Sequence, residues 1–249
     1  DSFGVIVWKT SSELRVGDKI AIASALPEGK SHEFGDYLGG FPDVTAVKTP
    51  AGVKKLLELS ENEEVLGVKI DHRKRSKAEN FVSLPQKTSP ELMRILGFMY
   101  SEGNIDEDGI HFSNNDPVLL GEFAELCKSV FGVEPKVKGA SVHCYSRTLR
   151  HFFSEVLGSP VGRKGNYSLP KWIFSLPKSE IASFIRGFWE GDGTTSKGIG
   201  GYPTIRIYSI TRTVLTQLSV LGKKLGLIAD IKPWKTKLSD MWALTYVGN

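Results

Sequence analysis

The sequence predicts an α+β protein built from two related half-domains that meet through a pair of helices. Two observations predict it. First, Ile95-Leu96-Gly97-Phe98-Met99-Tyr100-Ser101-Glu102-Gly103 and Ile185-Arg186-Gly187-Phe188-Trp189-Glu190-Gly191-Asp192-Gly193 repeat one pattern, with Gly, Phe, acid and Gly in register. The two acids lie 90 residues apart. Repetition on this scale is read before anything else, because it sets the architecture. Second, helix and strand patterns follow each motif in the same order.

The 249 residues suffice for one large domain or two ordinary ones. Hydrophobic residues make up 40% and charged residues 24%, a globular balance. No run approaches the roughly 18 apolar residues of a membrane span, and residues 1–4 lack signal-peptide character. Cys127 and Cys144 form neither a CxxC pair nor a disulfide framework, so a reducing cytoplasmic setting is expected. The net charge of +4 is a weak argument for nucleic acid. Its distribution says more: His72-Arg73-Lys74-Arg75-Ser76-Lys77 is a compact basic run, and Lys232-Pro233-Trp234-Lys235-Thr236-Lys237 mixes lysine with an aromatic ring.

In chain order, residues 1–27 read as strands around a Gly17-Asp18 turn. Residues 28–52, rich in Gly, Pro, Asp and Lys, read as an exposed connector. Val53–Leu59 reads as a short helix and Val65–Ile70 as a strand. Residues 28–85 together form a linker carrying the basic segment. Ser89-Pro90-Glu91 supplies a cap, a first-turn proline and an acid for the positive end of the first motif helix. That helix runs to Gly103. Gly109–Ser113 follows as an alternating strand, then a helix from Asp116-Pro117. Strands at 133–138 and 141–147 and a helix at 149–157 complete a half-domain over 86–178. The second half, 179–249, repeats the order: a helix from Ser179-Glu180 to Gly193, a strand at 204–208, a helix through Val214, Leu218 and Leu225, and strands at 228–232 and 242–247. It reads as cut short relative to the first.

The chemistry lies in the motifs. Gly97 and Gly187 let two helices approach closely. Glu102 and Asp192 stand at helix C-termini, before glycines expected to adopt the left-handed conformation. A carboxylate there opposes the helix dipole, and two facing carboxylates repel. A divalent cation such as Mg²⁺, or Mn²⁺, offsets both effects and can activate water against a phosphodiester. Alternation turns His111 and Ser113 away from the helices in the first half, and Arg206 and Tyr208 in the second. Lys136, Lys138, His143, Tyr145 and Arg147 are their companions in the first half, and Lys232, Trp234 and Lys235 in the second. Such residues hold phosphates or read base edges. Arg73, Lys74 and Arg75 add a non-specific, salt-sensitive contact.

The paired nonapeptides and repeat layout over residues 86–249 resemble single-chain LAGLIDADG homing endonucleases of the kind found in archaeal inteins. The resemblance implies two αββαββα half-domains packed through the motif helices, with antiparallel sheets forming a saddle over DNA. It implies Mg²⁺-dependent cleavage of both strands at a long specific site, by a monomer, with one motif acid for each strand. Two departures stand out. Glu102 occupies a position where Asp is commoner. Aligned on Pro170, the family's frequent lysine position holds Tyr167, which makes Lys164 the expected substitute. Residues 4–20 are similar to a segment of intein splicing domains. Asp1 replaces the Cys or Ser that splicing needs, so no splicing is expected. Two alternatives remain: a cleavage-impaired DNA- or RNA-binding module of the same fold, maturase-like or degenerate, or an intein fragment that needs a second chain.

Overall fold

The computed structural model describes residues 28–43, 45–70, 81–161, 167–197, 203–235 and 240–247. The splicing-like segment 1–27, the basic run with Arg73, Lys74 and Arg75, and Lys164 lie outside the described residues.

Helix α1 spans Pro90–Ser101. Ser89 accepts the Leu92 amide at 3.2 Å, and Pro90 fills the first turn, where its missing N–H costs nothing. Residues 92–101 are all buried, so α1 is enclosed on every side, as befits a central helix, with Arg94 its one buried charge. Its counterpart α4 spans Lys178–Asp192 and has no side-chain cap.

Each helix passes straight into a sheet. β4 (Gly103–Ile105) and β5 (Gly109–Ser113) follow α1, helix α2 (Pro117–Phe131) crosses behind, and β6 (Lys136–Lys138) and β7 (Ser141–Tyr145) complete the sheet before helix α3 (Arg147–His151). After α4 come β8 (Gly193–Lys197), β9 (Pro203–Ser209), helix α5 (Arg212–Lys224), β10 (Ile228–Lys235) and β11 (Asp240–Val247). The antiparallel sheet orders are β4-β5-β7-β6 and β8-β9-β11-β10, the same topology twice. The expected α+β class and doubled organisation are borne out. Strands β4 and β8 were not legible one by one, because each begins on the glycine that ends its helix.

The two halves share one hydrophobic core, with Leu96, Phe98, Phe112, Phe184, Phe188, Leu218 and Leu244 fully buried in it. At about 25 cal/mol per Å² of buried apolar surface, such side chains are the main stabilising term.

The N-terminal region differs from expectation. β1 (Thr45–Thr49), β2 (Gly52–Lys55) and β3 (Gly67–Ile70) form a sheet of order β2-β1-β3. Residues 28–52 are therefore not a free connector. His32 stacks on Trp172 at 5.2 Å, and Tyr37 and Phe41 are buried with Val68 and Ile70. The aromatic residues anchor this segment in spite of its turn-rich composition. The helix expected over Val53–Leu59 is instead β2 followed by a 3₁₀ turn, Leu56–Glu58. Val53 and Leu57 are 62% and 73% exposed, so no apolar face rewards a helix there. The buried amide of Ile70 donates to Thr148 Oγ1 at 3.0 Å, tying β3 to α3.

Candidate nucleic-acid interface and acidic centre

The centre is fixed by the approach of α1 to α4. A Cβ on Gly97 would lie 2.3 Å from the Phe184 carbonyl oxygen, and one on Gly187 would lie 2.5 Å from that of Arg94 and 3.0 Å from the Gly97 Cα. Real Cβ atoms do not come so close, so only glycine permits this contact. At the C-terminal ends, a Cβ on Gly191 would fall 1.9 Å from Ser101 Oγ and 3.9 Å from the Glu102 amide nitrogen. The helices thus converge where the acids emerge. Glu102 caps α1 and is exposed, whereas Asp192 is the last residue of α4 and is half-buried.

The glycines after the acids are not left-handed. Gly193 is extended, with φ −113° and ψ 176°, and Gly103 is absent from the positive-φ glycines. Their role is room: a Cβ would meet Met99 Cα at 2.4 Å from Gly103, and Trp189 Cδ1 at 2.2 Å from Gly193.

Tyr167 stands beside this centre. Its hydroxyl donates to the Tyr100 carbonyl at 3.2 Å. Burial, then the charges of Asp192 and Glu102, push its pKa upward, against a hydrogen bond with Ser209. Tyr167 therefore remains a neutral phenol within the field of both acids. Among the described residues no group of three or more His, Cys, Asp or Glu forms a metal cluster. Two hard oxygen donors at converging negative helix ends nonetheless suit a divalent cation that takes its other ligands from water and phosphate.

The first sheet carries a polar row across its strands. Register places Asn104, His111, His143 and Lys136 side by side. His111 and His143 stack at 4.9 Å, and His143 and Tyr145 at 5.4 Å. His111 Nδ1 lies 3.3 Å from Asp106. Lys138 Nζ donates to the Tyr145 hydroxyl at 2.7 Å, and Ser113 and Ser141 share a hydrogen bond of 2.7 Å. Burial, then the charges of His111 and Lys138, hold the His143 pKa below its usual value.

The second sheet carries a matching set. Arg206 Nε donates to Thr245 Oγ1 at 3.3 Å, its guanidinium lies 5.6 Å from the Trp234 ring, and Tyr208 lies 5.5 Å from that ring. Lys232 shares the face and pairs with Asp230 at 2.6 Å. Alternation along β10 puts Lys235 on the opposite face from Lys232 and Trp234. Arg147 is not on a strand at all: β7 ends at Tyr145, Ser146 caps α3, and Arg147 is the first residue of that helix.

Sequence reasoning missed a buried ion cluster across the helix pair. Arg94 donates to both carboxylate oxygens of Glu122, at 2.9 and 2.7 Å, and also to Glu190. Its guanidinium covers the Phe98 ring at 4.3 Å. The one available signal was an arginine inside an otherwise apolar helix.

Comparison with known proteins places this architecture. The model of the LAGLIDADG-like domain family matches residues 179–249. Residues 179–249 are thus similar to a LAGLIDADG-like domain. An uncharacterised protein of Methanocaldococcus jannaschii is 28% identical over 66% of this chain, and the glutamine–fructose-6-phosphate aminotransferase of the same organism is 25% identical over 67%. The DNA polymerase II large subunit of Thermococcus kodakarensis is 27% identical over 52%. The matched segment spans 21%, 15% and 7% of these relatives. Among solved structures, a variant of I-DmoI with its nicked target DNA and manganese is 15% identical over 63% of this chain and 88% of its own, with TM-score 0.48. Full-length DUF199/WhiA from Thermatoga maritima is 16% identical over 66% of this chain and 53% of its own, with TM-score 0.44. Beside residues 179–249, the first half repeats the same strand order. Among the described residues, no helix is long and apolar enough to cross a membrane.

Proposed function

We propose that the chain is a divalent-metal-dependent endonuclease that cuts both strands of duplex DNA at a long specific site, working as an intracellular monomer. One observation carries the reading. The close glycine contact of α1 and α4 brings together the helix ends that carry Glu102 and Asp192, each leading into a sheet of equal topology. Two half-sites in one chain supply what a symmetric dimer would otherwise need. Glu102 and Asp192 would hold Mg²⁺ or Mn²⁺, which supplies Lewis-acid stabilisation and activated water when bound. The faces with His111, Ser113, Lys136, Lys138, His143 and Tyr145, and with Arg206, Tyr208, Lys232 and Trp234, would grip phosphates and read the major groove. The unplaced Arg73, Lys74 and Arg75 would add backbone contacts, Lys235 on the far face of β10 would not, and Lys164 would assist charge stabilisation at the acids.

The relatives support a mobile origin. An aminotransferase and a DNA polymerase subunit share no activity, yet each contains a segment similar to this chain that fills a small part of its length. A segment carried by unrelated hosts behaves as an insert, and an archaeal intein is such an insert.

The second reading is a binding module that does not cut. It is favoured by Tyr167, a neutral phenol within the field of both acids at the position where the resembled endonucleases often place a lysine.

The test is cleavage of a randomised duplex library with Mg²⁺, comparing wild type with Glu102→Gln and Asp192→Asn. Double-strand cuts lost in both variants are expected. Specific binding with no cut under any divalent ion would overturn the enzyme and leave the binding module.

A further inference from the structure

A cationic cleft lies at the outer rim of the first sheet, away from the acids. Gly103, next to Glu102, pairs with Phe112, whereas Gly109, after the Asp106–Asp108 turn, pairs with Tyr145 at the far end. Tyr145 is thus level with a position four residues along β5 from Ser113, or about 13 Å at ~3.3 Å per residue. There β7 turns into α3. Arg147, Arg150 and His151 line a cleft of about 270 Å³ together with Glu107, Pro42 and Ile70.

The cationic side chains of this cleft are not used up by the fold. Among the described residues, neither Arg147 nor Arg150 has an ion-pair partner. Arg150 Nε and His151 Nε2 are buried and lack hydrogen-bond partners. The His151 ring is held against Phe41 at 4.4 Å and by a hydrogen bond with the Gly40 backbone. Arg150 Nε is the buried donor here, and buried donors are nearly always satisfied in folded proteins, so a polar cleft with that unsatisfied N–H and two guanidiniums against one exposed carboxylate, Glu107, suits an anion.

We propose that this cleft receives a backbone phosphate of the duplex, on the order of four base pairs outward from the scissile region at ~3.4 Å per step. It rests on the reading of the chain as a DNA-binding protein and extends that reading in one respect. The N-terminal sheet becomes part of the DNA-contacting surface, because Pro42 and Ile70 close the cleft and Phe41 fixes His151. The forked guanidinium geometry suits phosphate oxygens, which accept paired N–H bonds.

The experiment is a salt titration of non-specific binding to a duplex of about 30 base pairs, where each lost phosphate contact makes the slope of log K against log salt shallower by about 0.9. Arg147→Gln/Arg150→Gln should flatten the slope by about that amount. Arg147→Lys/Arg150→Lys should restore most of it. If the double glutamine variant melts early, Arg147→Gln alone, at a half-buried helix start, carries the same test. A wild-type slope retained in the glutamine variants, while Lys136→Gln/Lys138→Gln flattens it, would overturn the cleft assignment and leave DNA binding intact. No duplex binding by wild type at low salt would overturn the parent reading instead. In a separate arm, inorganic phosphate is titrated against the His151 ring signals by NMR. A shift there with an unchanged DNA slope would mark a free-anion site and overturn the proposal.

Discussion

Arg94 offers the sharpest test of how the two halves are held together. It rises from α1 in the first half and reaches Glu122 on α2 and Glu190 on α4, so one side chain ties three helices across the internal boundary. The Arg94 side chain is 6% exposed, against 33% for Glu122 and 20% for Glu190. Breaking a buried ion pair by removing one partner costs about 3–5 kcal/mol, because it strands the other charge. The partial exposure of both glutamates and the unpartnered Arg94 Nη1 pull the figure to the low end. Arg94→Met should therefore destabilise by about 3 kcal/mol, or roughly 6–12 °C in melting temperature for a domain of this size. Adding Glu122→Leu and Glu190→Leu should recover most of the loss, since replacing the whole cluster with apolar groups strands nothing. The pH dependence has a definite sign. The Arg94 hydrogen bond holds the Glu122 carboxyl below its ordinary value of 4.5. Its stabilisation is complete above 4.5 and is lost as pH falls through the lowered folded value. The gap between wild type and Arg94→Met should accordingly narrow in acid. Urea denaturation at neutral and acid pH measures both effects. A neutral-pH loss under about 1 kcal/mol, or a gap that widens in acid, would refute the cluster as a clamp.

Two further outcomes follow from the packing of the same helices. Gly97→Ala should destabilise by about 2 kcal/mol, although Gly to Ala inside a helix ordinarily stabilises by ~1 kcal/mol, because the new Cβ meets the backbone of α4; a rise in melting temperature would contradict the helix contact. Cys127 and Cys144 are both buried free thiols, and burial, then the Cys144 thiol beside it, drives the Cys127 pKa well up. Neither should react with a disulfide reagent at pH 8 until the protein unfolds, when two thiols should titrate; rapid native labelling would show that α2 opens away from β7.

Much of the plan was legible because it is written twice. The repeated Gly–Phe–acid–Gly spacing located both central helices, and Ser89-Pro90 and Asp116-Pro117 marked two helix starts that the structure reproduces. Alternation placed His111 and Arg206 on polar faces because each strand has one side against the core. Local pattern failed where tertiary contacts decide. Phe34, Tyr37 and Phe41 lie in a turn-rich stretch, and local pattern does not show that Phe34 and Tyr37 dock against Trp172 and Phe152, or Phe41 against His151. Arg147 reads as the end of a strand until the Ser146 side chain, accepting the Leu149 amide, starts the helix at Arg147, two residues before the expected 149. The role of Arg94 was hidden because its two partners lie 28 and 96 residues away.

The direct passage from helix to strand at Gly103 and Gly193 has a mechanical consequence. No loop stands between either motif acid and the first strand of its sheet, so neither carboxylate can settle independently of that strand. Under the proposed function, any twist that a seated duplex forces on β4 or β8 would be delivered to Glu102 or Asp192 as displacement. The stiffness of the bound DNA would then set how far apart the two carboxylates stand, and a sequence that resists bending would be rejected at the acids even where every base contact is satisfied.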